Sequence, residues 1–435
     1  MIPLVYGQCR VRSPVMVWSG NYVKPGDSGP GGTAIVFSLD ALLAVGVPFF
    51  NGRAELITGG WWYGDIRYGA IAAPRIGSDA FDFVATISGS PFASSFVGEF
   101  YPGSIFQSVR ESVSKTKTRM VLAGINSTLI PGYASTILVA CVGNTGGTDS
   151  GLVTGTTATI GSLSFEIRAS SINSSSDMGV TGWSAVEDAD PAAVVYDLIT
   201  APWGRAALPP SKIDTTSFIA ASTTLLAEGH GYSRSIEQTD DALSLINDVL
   251  RQIDGVVYEE PTTGQLELHL IRADYSVPGL VDINPNNAVL TEYTVQGQSE
   301  TFNQVRLIYT NRSGQYNDAV MVAQNQANVV NQGGKLRSTD IRFVGCCTAG
   351  LANTLAAREL AAVSLPQAKI AVDVNRSFYQ ARPGGLFTFT WPELNISGMV
   401  VRVVSVNLGQ PNSGSISMVL MRDIYAQTLG AFPQP

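Results

Sequence analysis

The chain has 435 residues, 45% of them hydrophobic and only 14% charged, with a formal net charge of −8. This composition excludes a disordered chain, and the acidic balance argues against non-specific attraction to nucleic-acid phosphates. The length leaves room for roughly two to four domains, and abundant Val, Ile, Thr, Ser and Tyr favour sheet over helix.

The opening MIPLVYGQCR has neither a charged n-region nor an apolar h-region, so no signal peptide is read. The stretch to residue 23 reads as two short strands broken by Gly and Pro. KPGDSGPGG follows and resembles the loop around the nucleophilic serine of trypsin-like proteases. A serine nucleophile needs a base and a carboxylate that orients it. The only histidines are His230 and His269, and neither precedes Ser28 as the protease order requires. GDSGP therefore reads as a turn. Residues 35–45 form a strand or a short apolar helix, Asn51-Gly52 a hairpin turn, and 53–58 a strand.

Residues 70–180 read as all-β with long loops. FDFVATI, STILVACVG and SLSFEIRAS are its strands, the last with Leu163, Phe165 and Ile167 on one side. The Gly/Thr-rich loop 143–160 lacks the Gly-Lys-Ser/Thr of a phosphate cradle, and 170–179 reads as a linker. Residues 120–142 are the most apolar long stretch, but Asn126, Ser127, Pro131 and Gly132 interrupt it, against a membrane span.

The segment 181–285 changes to helices followed by a hairpin. Asp190-Pro191 opens a helix that stops before Pro202. A second helix covers 217–228 and ends at Gly229. A third has Thr239 as N-cap and an apolar face of Leu243, Ile246, Val249, Leu250 and Ile253. GVVYEEPTTGQLELHLI is a hairpin. From 286 the chain returns to strands: NQVRLIYTN, a polar loop QNQANVVNQGG, a helix over 349–364 closed by Pro366, and four strands in the tail. The division is thus 1–69, an N-terminal β segment; 70–180, a β domain with the long loop; 181–285, a helix-plus-hairpin α/β module; and 286–435, a C-terminal β domain with one helix.

No spacing assembles a reactive site. Cys9, Cys141, Cys346 and Cys347 match no zinc or redox pattern and read as small buried hydrophobes of a protein made in a reducing cytosol. DINPNN at 282–287 lacks the glycine and distant glutamate of a calcium loop. Glu259 and Glu260 are neighbours on a strand and point to opposite faces. Lys115, Lys117 and Arg119 form a solvated basic face, and Trp61-Trp62 fills either a core or an interface. No cofactor, metal or catalytic residue is assigned.

The stretch DPAAVVYDLITAPWGRAALPPSKIDTTSF resembles a hallmark of the phage tail hub family that includes the lambda tip attachment protein. Its matching residues are Pro191, Tyr196, Asp197, Leu198, Thr200, Gly204, Leu208, Pro209, Ile213, Asp214 and Phe218. Tyr6-Gly7 in the opening strand, Tyr133 in PGYASTILVA, Pro383-Gly384 in ARPGGLFTFTW and Asp423 in MRDIYA follow in the family's order. Three departures stand out: Gly385 replaces the usual acidic residue after Pro383-Gly384, the 143–160 loop is longer than the family pattern leads one to expect, and the sequence to Pro435 is read as having no fibronectin-like, coiled-coil or fibre module, so that receptor binding is expected of another protein.

The resemblance implies a β-rich α+β multidomain tail hub with tail-tube-like β-barrel domains and the small α/β module. It implies a non-enzymatic homotrimer at the tail tip or baseplate of the virion, synthesised in the host cytoplasm. The ring adapts a sixfold tail tube to a threefold tip and surrounds the DNA exit channel, which DNA passes without specific binding. The implied partners are the distal tail protein, the tape measure protein, other tail-tip proteins, a separate fibre or receptor-binding protein, and the host envelope. The alternative is a receptor- or carbohydrate-binding adhesin using Trp61, Trp62, Tyr63 and the 143–160 loop.

Overall fold

The structure is a computed structural model that describes residues 4–12, 15–21, 33–41, 54–63, 66–67, 69–72, 81–87, 95–102, 136–143, 163–169, 183, 187–200, 208–236, 241–410 and 414–425. The chain folds as two compact units: 1–209 with 222–249, and 210–221 with 250–435.

The first unit is built on strands β1 (Leu4–Val11), β2 (Val15–Asn21), β3 (Thr33–Ala41), β4 (Ala54–Tyr63), β5 (Ile66–Arg67), β6 (Gly69–Ala72), β7 (Phe81–Ile87), β8 (Ser95–Pro102), β9 (Thr136–Gly143) and β10 (Leu163–Ala169). Helix α1 (Pro191–Thr200), helix α2 (Thr215–Ala227), strand β11 (Arg234–Ile236) and helix α3 (Ala242–Ile253) follow, with 215–221 of α2 and 250–253 of α3 counted in the second unit. The strands join one sheet in the order β11-β1-β10-β4-β6-β7-β8-β9-β3-β2, with β5 beside β4. In this order β1 stands second and β2 last, eight steps away. A flat sheet would separate them by about 38 Å. Only residues 12–14 join β1 to β2, and four peptide steps reach at most about 14 Å. The sheet therefore curls until its two ends meet. Of residues 35–45, open between strand and helix in the sequence, 35–41 lie in strand β3 and 42–45 lie outside the described residues, and β8 is a strand that the sequence pattern does not mark.

In the second unit the expected hairpin forms from β12 (Gly255–Glu259) and β13 (Leu266–Leu270). Further along lie β14 (Asp282–Ile283), β15 (Ala288–Val295), β16 (Gln304–Asn311), β17 (Asn317–Gln324), α4 (Gln326–Asn331), β18 (Ser338–Phe343) and α5 (Ala349–Val363). The chain closes with β19 (Ala368–Asn375), β20 (Leu386–Trp391), β21 (Ile396–Asn407) and β22 (Ser415–Arg422). A six-stranded sheet has the order β14-β20-β21-β22-β19-β15. Its period-two alternation buries Ile370, Val372 and Val374 of β19 with Ile416, Met418 and Leu420 of β22. Phe389 and Trp391 stack at 5.5 Å in the same core. A separate three-stranded sheet, β17-β16-β18, turns Val305, Leu307 and Tyr309 onto Leu351, Ala352, Leu355 and Ala356 of α5. Thr348 caps that helix by accepting from the Leu351 N–H.

Two expectations are corrected. Leu243 is 63% exposed, and the buried side of α3 carries Leu245, Ile246, Val249 and Ile253 instead. Leu245, Val249 and Ile253 recur every four residues, whereas a residue two positions before Leu245 lies on the far side of the helix. QNQANVVNQGG contains the helix α4. Its N-cap Asn325 accepts from the Asn328 N–H, and the buried Asn328 amide donates to Ser364 O at 2.9 Å and Thr301 Oγ1 at 3.2 Å. The helix is anchored by amides, so hydrophobic periodicity does not register it.

The fold is thus β-rich α+β. Replacing Leu355, fully buried on the face of α5 that meets β16, by Ala should cost about 2–5 kcal/mol in urea unfolding. Leu243→Ala should change stability by less than about 0.5 kcal/mol.

Candidate functional site

The resemblance residues of the first unit meet around β1. Tyr6 is fully buried, and its hydroxyl donates to Asp197 Oδ2 at 2.9 Å. Asp197 lies on α1, whose first residue is Pro191 and whose residues Tyr196 and Leu198 are buried. Gly7 adopts φ +64°, and a Cβ there would lie 2.2 Å from Ser233 Oγ and 2.8 Å from the Ala189 nitrogen. Only glycine permits both the left-handed backbone and this approach. The next N–H, of Gln8, donates to Glu187 O at 2.9 Å and to Ser233 Oγ at 3.2 Å. Ser233 in turn donates to Asp188 Oδ1 at 2.6 Å.

Asp190 caps α1 by accepting from the Ala192 N–H at 2.9 Å, and it accepts from the Ser222 hydroxyl at 2.5 Å. The Trp183 indole N–H donates to the same Ser222 oxygen at 3.0 Å. Arg168 reaches Gln8 Oε1 with Nη2 at 2.7 Å. A buried polar network thus ties β1 to α1, the 187–190 segment, Ser222 and Ser233. Sequence reading singles out Tyr6, Gly7, Pro191 and Asp197 but misses Asp188, Trp183, Ser222 and Ser233. Their partners lie tens of residues away, so no local pattern marks them.

Burial raises two carboxyls here. Asp197 is pushed up to about 7 by desolvation, which the Tyr6 hydrogen bond only partly offsets. Its Oδ1 is buried without a hydrogen-bond partner among the described residues. Asp190 is raised to about 6 by burial, against hydrogen bonds from Ser222 and the α1 backbone.

In the second unit Ile213 is buried and bridges to Leu266, and Asp214 caps α2, accepting from the N–H groups of Thr216 at 3.1 Å and Ser217 at 3.2 Å. Pro209 is exposed at the end of the first unit. Pro383, Gly384 and Asp423 gather around Arg402. Its guanidinium donates to Asp423 Oδ1 at 2.9 Å, to Gly384 O at 2.8 Å and to Arg272 O at 3.2 Å. Tyr275 donates its hydroxyl to Asp423, and burial together with that carboxylate holds the phenol protonated. Gly384 takes φ +83° against His269. Sequence reading misses Arg402 as well. Its one signal is a charge between the apolar neighbours Val401 and Val403 in MVVRVVSV. A cleft of about 390 Å³ opens beside this cluster, lined by Val256, Ala362, Pro383, Val404 and Met421 among others.

Other candidates separate. Glu259 is exposed, while Glu260 is buried and paired with Arg382. His230 sits in its turn 3.5 Å from Glu228, and His269 is half-buried on β13. Cys9, Cys346 and Cys347 are buried, and the side chain of Cys141 lies outside the described residues. The 282–287 segment folds as a turn in which Asn287 donates to Asp282 O at 2.8 Å. Among the described residues no three His, Cys, Asp or Glu side chains are placed to share a metal ion. Tyr133, Ser28, Gly204, Thr239, Lys115, Lys117, Arg119, the Asn51-Gly52 turn, the 170–179 stretch and residues 144–160 lie outside the described residues, as do the side chains of Trp61 and Trp62.

Residues 241–406 match the model of a family described as "Putative phage tail protein". Over that segment the chain is similar to a phage tail protein family. A search of curated protein sequences gives no match. Among solved structures, one from the virion of a native gene transfer agent particle aligns over 98% of this chain and 86% of its own, at 14% identity and a TM-score of 0.58. That likeness establishes a shared fold. The tail protein from Neisseria meningitidis MC58 aligns at 13% identity over 86% of this chain and 92% of its own, and the 43 kDa tail protein of prophage MuSo2 from Shewanella oneidensis at 11% over 84% and 98%. Both have TM-scores of 0.35, too low to support an argument.

Gly7→Ala should destabilise the β1 attachment by about 2–5 kcal/mol, from backbone strain plus the clash with Ser233. Because Asp197 and Asp190 bind protons more tightly folded than unfolded, their contribution to stability falls as pH rises from about 4 through 7. His269, whose pKa burial and then Arg402 lower, works the other way in the second unit, losing stability as pH falls below the ordinary histidine value. Amide-exchange protection of β1 and α1, corrected for intrinsic rates, should therefore drop between about pH 5 and pH 8. Asp197→Asn should remove most of that drop.

Proposed function

We propose that this phage tail protein is the central hub of the tail tip or baseplate, a homotrimeric ring that adapts a sixfold tube to a threefold tip and encloses the DNA exit path. Its job is to hold a shape, and no catalysis is assigned to it. The observation that carries the reading is the fold correspondence with a virion protein along nearly the whole chain. The family segment at 241–406 and the ordered succession of hub-like motifs support it. So does the use of those motif residues: Tyr6–Asp197 and Arg402–Asp423 are spent on fastening strands and helices to each other.

The curled sheet of the first unit and the six-stranded sheet of the second are the elements suited to tube-like packing. Three copies at −8 each bring −24 charges, which suits a passage that must not retain DNA. The partners are the distal tail protein, the tape measure protein and a separate receptor-binding protein.

The test is imaging of intact particles. Three copies around the tail axis at the tip are expected. A chain located away from the axis, or substrate turnover abolished by one substitution such as Ser28→Ala, would overturn the reading.

A further inference from the structure

Strand β17 ends its sheet without the protections found on the other described edges. It runs eight residues, Asn317–Gln324, in unbroken register with β16. β15 is bulged between Leu290 and Glu292 and carries that glutamate, and β2 is bulged between Met16 and Trp18. β18 carries Asp340 and Arg342, β11 and β14 span three and two residues, and each hairpin strand has five residues with a glutamate. β17 has no Pro, no Lys and one charge, Asp318, already paired with Arg342 at 2.8 Å. On the face away from α5, Val320 is 49% and Val322 51% exposed. A long, flat, apolar edge of this kind presents a row of unpaired backbone groups and pairs with another strand.

The sequence of the strand, NDAVMVAQ, indicates which one. Its centre, Ala319-Val320-Met321-Val322-Ala323, reads the same in both directions. An antiparallel pairing with a second β17 centred on Met321 sets Val320 opposite Val322 of the second copy and Ala319 opposite its Ala323. Asp318 then faces Gln324, so no like charges are opposed. The pairing keeps side chains in phase, because residues opposite each other have the same parity and hence the same face. Ile308, which pairs with Val320 on β16, extends the valines into one apolar stripe across both copies.

We propose that β17 is a self-pairing edge, joining two copies of this chain through a two-fold antiparallel β17–β17 contact that makes one six-stranded sheet of two three-stranded ones. The inference goes beyond the hub reading. A two-fold contact cannot close a threefold ring, so it belongs to the chain before assembly, where it covers an edge that would otherwise nucleate aggregation.

The test is the mass of the purified full-length chain by light scattering, across a concentration series and with two double variants. Wild type should reach twice its 46.1 kDa. Val320→Lys with Val322→Lys opposes lysines across the contact and should leave monomer. Val320→Glu with Val322→Lys opposes glutamate to lysine in this register alone and should restore the dimer. All four substituted side chains project from the exposed face, and circular dichroism confirms that the variants fold. A dimer that persists with two lysines, or fails to return in the Glu/Lys variant, overturns the proposal, as does a wild-type monomer. A trimer indifferent to both variants overturns it too, while leaving the hub reading standing.

Discussion

A carboxylate withdrawn from water must find donors or keep its proton, and Asp197 is held between these outcomes. Among the described residues it receives one hydrogen bond, from a tyrosine 191 positions earlier in the chain. That bond fixes where the first strand meets the first helix. The rest of the neighbourhood follows from it: a glycine at Gly7 so that the backbone can turn and pass close to Ser233, and a free N–H on Gln8 to engage Glu187. Buried polar networks of this kind rigidify a structure when their members are satisfied. The half-satisfied member, Asp197, is raised further than Asp190, the other carboxyl of the network that burial makes pH-sensitive.

The second unit repeats the logic with the opposite charge. Arg402 is buried in a sheet strand and is tolerated because Asp423 neutralises it and two carbonyls accept hydrogen bonds from two more of its N–H groups. Such an arrangement adds little net stability compared with apolar packing, but it is exacting in geometry, since a guanidinium accepts partners only in its own plane. Pro383-Gly384 and the chain's last described strand are brought to one point by it. Both clusters point inward and join elements. A protein whose motif residues are committed in this way is organised around positioning.

Much of the fold is legible in the sequence because its signals are local. Alternation in SLSFEIRAS, the hairpin around PTTG, the Asp190-Pro191 helix start and the four closing strands all follow from periods of 2.0 and 3.6 and from turn chemistry. The departures are local too. Leu243 reads onto the buried side of α3 because it is apolar, although Leu245, Val249 and Ile253 already define that side. α4 escapes because Asn328 anchors it through side-chain hydrogen bonds. Arg402 reads as one more polar residue on a strand, since a single charge does not announce its partner.

By itself, the sequence determined which segments become strands and helices, that glycine must stand where a turn is left-handed, and the tail-protein resemblance. These depend on backbone sterics and side-chain spacing within a few residues. Only the tertiary structure decided that the strands of one sheet curl until β1 and β2 meet, that Tyr6 finds Asp197, and that Arg402 gathers Gly384 and Asp423. Those hydrogen-bonded pairings join residues 18 to 191 positions apart. Their energy depends on burial, which no stretch of sequence carries until the chain has closed around it.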